Sequence, residues 1–331
     1  MNGSKRASPP VVCLAPMAGF TDWPMRVLCY RMGAQYACTE MVSAMGYVCA
    51  KPGNEVYRLL LATHPEETNT ACQLFGRDPV VMGEAAARVS ELGRFASLDI
   101  NMGCPARKVV GIGEGSALLL DVPRAARIME AVKRNTHLPV TVKTRLSYDG
   151  VRGSALELGE AAQALGMAWL CVHGRTREQQ YAGEADHAAI GELKARLSLP
   201  VIANGDIDSP AQALRAANLT GADGLMIGRA AVGNPWVMGA VRAALEGAEA
   251  PPPPSVRERV QTAILHAQWM VQSKGERRGV LEMRAHAGRY VGGVRGATAL
   301  RREMNRQTTL DGLVSLLRSI ADRFDQEEEI L

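Results

Sequence analysis

From residue 10 to about 245 the chain alternates between short apolar or β-branched runs and longer stretches whose apolar positions recur at helical spacing. Eight runs read as strands: Val11–Ala15, Tyr36–Met41, Thr70–Leu74, Ser97–Asn101, Val140–Lys143, Trp169–Val172, Val201–Ala203 and Gly224–Ile227. Helical stretches lie between them, among them Asp78–Leu92, Val122–Asn135, Ala155–Leu165, Ala188–Leu197, Pro210–Ala217 and Pro235–Leu245. Asp121 and Ser209 predict helix N-caps, the second with Pro210 at the first helical position. Eight strand–helix units in roughly 235 residues predict an α/β TIM (β/α)8 barrel rather than a doubly wound sheet.

The pattern weakens at Val42–Pro65, which reads as a long active-site loop with a short helix. It changes for good at Pro251-Pro252-Pro253-Pro254, a run that cannot continue a helix and forms a stiff extended linker. Ser255 is placed to cap a new helix, and from Val256 the spacing is helical with no strand-like run. The predicted organisation is a barrel over residues 1–249, a linker over 250–254 and a small all-α domain over 255–331. Met1–Pro10 reads as a loose polar tail and Glu327-Glu328-Glu329 as a solvated helix end.

Composition narrows the setting. A chain of 331 residues that is 47% hydrophobic can bury a core of barrel size, and its low aromatic content argues against a β-sandwich. The seven cysteines are scattered without a CxxC pair, no secretory segment opens the chain, and no apolar run approaches the ~20 residues of a membrane span. The expectation is a cytoplasmic, monomeric protein with reduced thiols, no membrane contact and no metal.

Candidate chemistry collects where predicted strands end, the side on which parallel barrels place their sites. Asn101-Met102-Gly103-Cys104-Pro105 follows the fourth strand and puts a candidate reactive thiol, Cys104, on a turn. Asn204-Gly205-Asp206 and Gly228-Arg229 follow the seventh and eighth strands, where barrels build phosphate sites from backbone N–H groups and a helix N-terminus. Arg229 adds a fork-shaped cation. Lys143, bracketed on its strand by Val140 and Val142, is expensive to bury unless it faces a ligand with negative charge or acceptor atoms. His173 sits beside Arg175; either a structural or a functional histidine fits that position. Gly111-Ile112-Gly113-Glu114-Gly115 lacks the spacing and the preceding strand of a dinucleotide loop, and reads as a mobile loop flanking the site.

These clusters, in this order, resemble the tRNA-dihydrouridine synthases, flavin enzymes that reduce uridine in tRNA, and most closely their B-type bacterial branch. The resemblance rests on Pro16-Met17-Ala18-Gly19, Gln73-Leu74-Phe75-Gly76, Asn101 to Pro105, Lys143-Thr144-Arg145-Leu146, His173-Gly174-Arg175-Thr176, Asn204-Gly205-Asp206-Ile207, Gly228-Arg229-Ala230 and Gly233-Asn234-Pro235-Trp236. It extends more loosely to Met283–His286 and Arg301–Asn305. It implies FMN bound by Pro16, Met17, Ala18, Gln73, Lys143, His173, Asn204, Gly205, Asp206, Gly228 and Arg229, with NADPH as reductant. It implies Cys104 as proton donor to C5 of the base; an ordinary thiol, with a pKa of ~8.5, still holds its proton at neutral pH. Asn101, Arg145, Arg175, Arg284, His286, Arg301 and Arg302 are the expected contacts to tRNA or its target base. Three features depart from the family pattern: Val109-Val110-Gly111-Ile112-Gly113 stands where more polar and basic residues are expected, Ala285 where a lysine is, and Arg289 where an aromatic is.

Charge supports a polyanionic partner. Lys274 to Arg306 holds nine Lys or Arg against three Glu, a sum of +6 in a chain whose net charge is +4. The rival reading is a Schiff-base aldolase in which Lys143 attacks a phosphosugar; it explains the lysine and the phosphate site but neither Cys104 nor the basic helices. A non-catalytic RNA-binding barrel leaves the crowd of polar groups at the strand ends without a purpose.

Overall fold

The structure, a computed structural model, describes residues 8–328, with side chains to residue 323. Most of the expected loose tail at Met1–Pro10, and the side chains of the expected solvated end at Glu327–Glu329, lie outside the described residues. Among the described residues there are nine strands: β1 Val11–Leu14, β2 Tyr36–Cys38, β3 Val42–Ser43, β4 Thr70–Phe75, β5 Ser97–Met102, β6 Val140–Arg145, β7 Leu170–His173, β8 Val201–Asn204 and β9 Gly224–Ile227. All pair in parallel. Eight of them close a barrel, because β1 pairs with β9 and β2 pairs with β4; the two-residue β3 rides on the upper end of β4. The chain is therefore a TIM barrel followed by helices.

The strands form because each buries both faces. Outward residues such as Val12, Leu14, Leu74, Leu98, Ile100, Val142 and Leu225 are almost fully buried under the helices. Inward residues fill the barrel in layers, with Cys13, Cys38, Ala71, Cys171, Ile202 and Met226 closing its middle. The predicted caps hold: Asp121 accepts from Arg124 N–H and Ser209 from Gln212 N–H, and Pro210 opens its helix. The stretch Val42–Pro65 departs from the expected loop with a short helix. It contains β3 and two short helices, Ala44–Cys49 and Glu55–Leu60, joined where Tyr57 packs over Gly46.

Beyond the helix Val237–Glu246, residues 251–254 take no regular structure, and Ser255 with Glu258 forms a full capping box for the next helix. Helices Val256–Lys274, Glu276–Tyr290, Ala297–Met304 and Leu310–Glu328 share their own core, including Met270, Met283, Ala287, Tyr290, Met304 and Leu317. Gly275, at φ +77°, reverses the chain between the first two.

This helical unit docks on the barrel beside the β1/β9 seam. Trp23 Nε1 donates to Ser273 Oγ at 2.9 Å, and Phe20 packs edge-on against His286 with ring centroids 5.2 Å apart. Lys274, 5% exposed, bonds both Asp22 and Glu282. Asp22 in turn caps the helix Trp23–Arg31, so a single ammonium ties the barrel's first helix to the helical unit. Burial opposes the charge on Lys274, yet Asp22 and Glu282 raise its pKa; the same contacts hold Glu282 below its ordinary value.

Candidate active site

The inward residues at the carboxyl ends of the strands are polar: Gln73 on β4, Asn101 on β5, Lys143 on β6, His173 on β7 and Asn204 on β8. All but Lys143 are buried, so their polar atoms need partners, and they supply them to one another. Asn101 Nδ2 donates to Gln73 Oε1 at 2.9 Å, and Gln73 Nε2 donates to Asp99 Oδ2 at 2.7 Å. Lys143 Nζ donates to Asn204 Oδ1 at 3.0 Å, and Asn204 Nδ2 to Met226 O at 2.7 Å. The ammonium of Lys143 thus has a neutral amide as its hydrogen-bond partner.

Cys104 is half-buried on the turn after β5. Asn101 Oδ1 accepts from the N–H of both Gly103 and Cys104, at 3.2 and 2.9 Å. The Cys104 carbonyl accepts from Ser116 N–H and Oγ. Five of the other thiols are buried and only Cys49 is exposed. Burial pushes the Cys72 and Cys171 thiols up to about 12 and raises the rest of the buried set further, so they are chemically quiet.

The clusters after β8 and β9 fold tightly around Asp206. Gly205 has φ +121°, and a Cβ there would lie 2.6 Å from Ala185 Cβ and 3.0 Å from the His173 ring. Asp206 is itself left-handed, with φ 46°, a strained state for a non-glycine residue. Arg175 pins it with two bonds of 2.9 and 2.6 Å, Ala185 N–H adds a third, and Arg229 reaches it at 3.2 Å. Burial favours protonation of this carboxyl, but those contacts outweigh it and lower its pKa. Arg229 stays 58% exposed at the mouth, with Tyr181 over its guanidinium at 5.0 Å. His173 lies under the same group of cations; burial first, then Lys143, Arg145, Arg175 and Arg229, push it down to about 2. It is a neutral imidazole at any working pH.

Several expected contacts are spent inside the fold. Arg145, 2% exposed, donates to the carbonyls of Gly103, Thr176 and Gln180, and burial pushes its pKa down to about 10. Arg175, also 2% exposed, donates to Ala182 O, Gly183 O and Asp206. These two arginines staple loops, and only the Nη2 group of Arg145 lies outside those bonds. His286 has no exposed surface: it packs between Phe20 and His266, so it is not a contact for an RNA at the surface. Arg284 is half-buried on Gln307 O, whereas Arg301 and Arg302 are exposed, Arg301 with one bond to Gly288 O. The expected mobile loop at Gly111–Gly115 is instead folded. It links the helical turn Arg107–Val110 to the 3-10 turn Gly115–Leu120, with Val109 and Glu114 buried and Arg77 bonded to Ile112 O. Positive φ at Gly113 and Gly115 lets it turn back beneath Cys104.

Sequence reasoning passed over Asp99, Thr141 and Tyr181. Asp99 carried a signal: two residues before Asn101 on one strand, it must point the same way, into the barrel. A cavity of about 690 Å³, a volume in the range of small-molecule sites, lies to one side of these groups, between the short helices at 44–60 and the turns after β4 and β5, and is lined by Ala18, Met41, Ser43, Phe75, Lys108 and Ile112 among others. Among the described residues no group of three His, Cys, Asp or Glu could hold a metal ion, and no helix is long and apolar enough to cross a membrane.

Residues 13–325 match the family model described as dihydrouridine synthase. A protein named tRNA-dihydrouridine synthase B from Xanthomonas axonopodis pv. citri is 40% identical over 314 residues, 95% of this chain and 93% of that one. A probable tRNA-dihydrouridine synthase from Rhodobacter capsulatus is 41% identical over 316 residues, covering 96% of each. In structure, histamine dehydrogenase from Rhizobium sp. 4-9 superimposes with a TM-score of 0.54 at 12% identity, over 78% of this chain and 48% of that one, a likeness of fold alone.

Proposed function

Because the chain belongs to the dihydrouridine synthase family, we propose that its barrel mouth reduces a uridine of tRNA to 5,6-dihydrouridine, with FMN as cofactor and NADPH as reductant. The observation that carries this reading is Cys104. It is a half-exposed thiol on a turn held by two N–H bonds to Asn101, in a chain that seals five other thiols away.

The residues fit a flavin phosphate at one end of the mouth and a flavin ring over its centre. Arg229 offers an exposed fork at the β8 and β9 ends, where Gly205 and Gly228 keep the backbone bare of side chains. Asp206 holds that arginine. Pro16, Met17 and Ala18 border the ring from the β1 turn. Gln73 has one amide hydrogen and one lone pair beyond its two internal bonds, and Lys143 has two ammonium hydrogens beyond its bond to Asn204. That cation suits the N1/O2 edge, where a reduced flavin carries negative charge. The chemistry the cofactor supplies when bound is hydride transfer to C6 of the uracil ring.

The rest is done by the chain. The Cys104 thiol gives its proton to C5, and solvent reprotonates the sulfur through the open mouth. Asn101, fixed by the N–H groups of the turn, borders the base. His173, being neutral, would hold the cofactor without adding to the cationic field. The base must leave its stack to reach the barrel mouth, and the exposed Arg301 and Arg302 hold the tRNA backbone alongside. Membership of this family sets the aldolase alternative aside.

The test is Cys104→Ala. Dihydrouridine in digested tRNA should fall by roughly a hundredfold or more, the weight of a positioned general acid, while the protein stays yellow. Undiminished turnover would remove Cys104 from the chemistry.

A further inference from the structure

At the heart of the barrel lies a carboxylate that the proposed chemistry does not use. Asp99 has no exposed surface, and it sits one layer below the mouth beside Tyr36, Cys38 and Cys171 of the inner cluster, which give it no cation at contact. Burial raises its pKa, while Gln73, Thr141 and the more distant Lys143 pull it back. Each of its oxygens is engaged: Thr141 Oγ1 donates to Oδ1 at 2.6 Å and Gln73 Nε2 to Oδ2 at 2.7 Å.

From Asp99 a chain of hydrogen bonds climbs to the thiol turn, and every link points the same way. The N–H groups of Gly103 and Cys104 donate to Asn101 Oδ1; Asn101 Nδ2 donates to Gln73 Oε1; Gln73 Nε2 donates to Asp99. An amide can be turned end for end, so two amides in series do not orient themselves. The ends of this chain do it. Backbone N–H groups can only donate, and an ionised carboxylate can only accept. Between them, Asn101 and Gln73 each have one allowed orientation.

We propose that Asp99 is the positioning residue of this site: by accepting from Gln73 it fixes which atoms Gln73 presents to the cofactor, and through Asn101 it holds the Cys104 turn in register. The proposal rests on the reading of Gln73 and Cys104 given above. A buried carboxylate kept only for stability has no reason to end a one-way chain at the reactive thiol, and an apolar residue in a barrel core packs as well or better. Thr141 is the second anchor, holding the other oxygen so that the carboxylate plane cannot turn.

The experiment compares Asp99→Leu, Asp99→Asn and Thr141→Val, all in a Cys49→Ser background so that Cys104 is the one accessible thiol among those described. Two readouts are taken on flavin-stripped protein: the dissociation constant for added FMN by fluorescence, and the rate of Cys104 alkylation by iodoacetamide from peptide mass. Asp99→Leu removes the acceptor for Gln73; FMN binding should weaken about tenfold, the worth of a charge-assisted bond, and the alkylation rate should move at least about threefold. Asp99→Asn keeps an oxygen for Gln73 and turns its NH2 to Thr141 Oγ1, which can donate instead to Leu98 O, 3.4 Å away. It should stay within about threefold of the parent on both readouts. Thr141→Val, which lies one layer below the mouth and deletes a single hydroxyl, should weaken FMN binding by about threefold; it carries the test if the leucine variant does not fold. Parental values for both Asp99→Leu and Thr141→Val, or equal losses in the leucine and asparagine variants, overturn the proposal. Because neither readout measures turnover, a failure here is separate from a failure of Cys104 as the acid.

Discussion

Replacing Lys274 by Met should loosen the joint between barrel and helical unit more than any other single change at that interface. The ammonium is 5% exposed and bonds Asp22, 6% exposed, and Glu282, 26% exposed. Methionine fills most of the space but leaves Asp22 without its ammonium, with Glu40 close by, while Glu282 keeps Arg278, whose Nε donates to it at 2.7 Å. Removing one member of a buried ion group costs about 3–5 kcal/mol, because the remaining charge is stranded. For a chain of this size that is a fall of roughly 6–10 °C in Tm. The pH dependence comes from the shifts. Lys274 has a folded pKa raised above its ordinary 10.5, so its contribution is complete below 10.5 and is lost as pH rises through the folded value. Glu282 has a folded pKa lowered below 4.5, so its contribution is present above 4.5 and is lost as pH falls through the folded value. The gap between parent and variant should therefore be widest between about pH 5 and 10 and narrow below that, as Glu282 takes up a proton. Thermal melts followed by circular dichroism at pH 4, 7.5 and 9 measure it. Adding Asp22→Asn to Lys274→Met removes the stranded charge while keeping an N-cap, and should recover at least about half the loss. A single variant that melts within about 2 °C of the parent at pH 7.5 would refute this account of the joint.

Two further changes probe the mouth and the basic helices. Gly205→Ala forces a Cβ to 2.6 Å from Ala185 Cβ at φ +121°; it should cost about 2 kcal/mol or more, and the purified protein should show a lower ratio of flavin to protein absorbance. Arg301→Ala with Arg302→Ala should weaken tRNA binding and flatten its log–log salt dependence by roughly 1.5, the release of two counterions; an unchanged slope would show that these side chains do not meet phosphate.

The barrel was legible because its strands are apolar runs between clear turn and cap signals. The strand ends were less so. β5 and β6 run on to Met102 and Arg145, past the points where apolar patterning stops. Asn101 and Lys143 near these ends are polar because they face a mouth in which polar groups satisfy one another. At Val42–Pro65 the helices are six residues each, too short to show a period. Arg145 and Arg175 illustrate a limit of sequence. An arginine at a strand end looks the same whether it meets a substrate or the carbonyls of Thr176, Gln180, Ala182 and Gly183, which only folding brings near. His286 was readable. With Met283 and Tyr290 it continues an i, i+3, i+7 stripe that faces the helical core, a stronger signal than the cations flanking it in sequence.

The seam that closes the barrel also sets an order of events during synthesis. Val11–Leu14 pairs with Gly224–Ile227, so the first strand waits for a partner about 210 residues behind it. Loop closure over such a span is entropically unfavourable, and this pairing belongs late in folding. At about 5–20 residues per second on a ribosome, β1 keeps one edge bare for roughly 10–40 s. That edge is Val-Val-Cys-Leu, an apolar template for another chain's strand. Fragments that end before Gly224 should aggregate along it, and the helices after Ser255, which pack against the neighbouring Trp23–Arg31 segment, arrive as the last part to cover the seam.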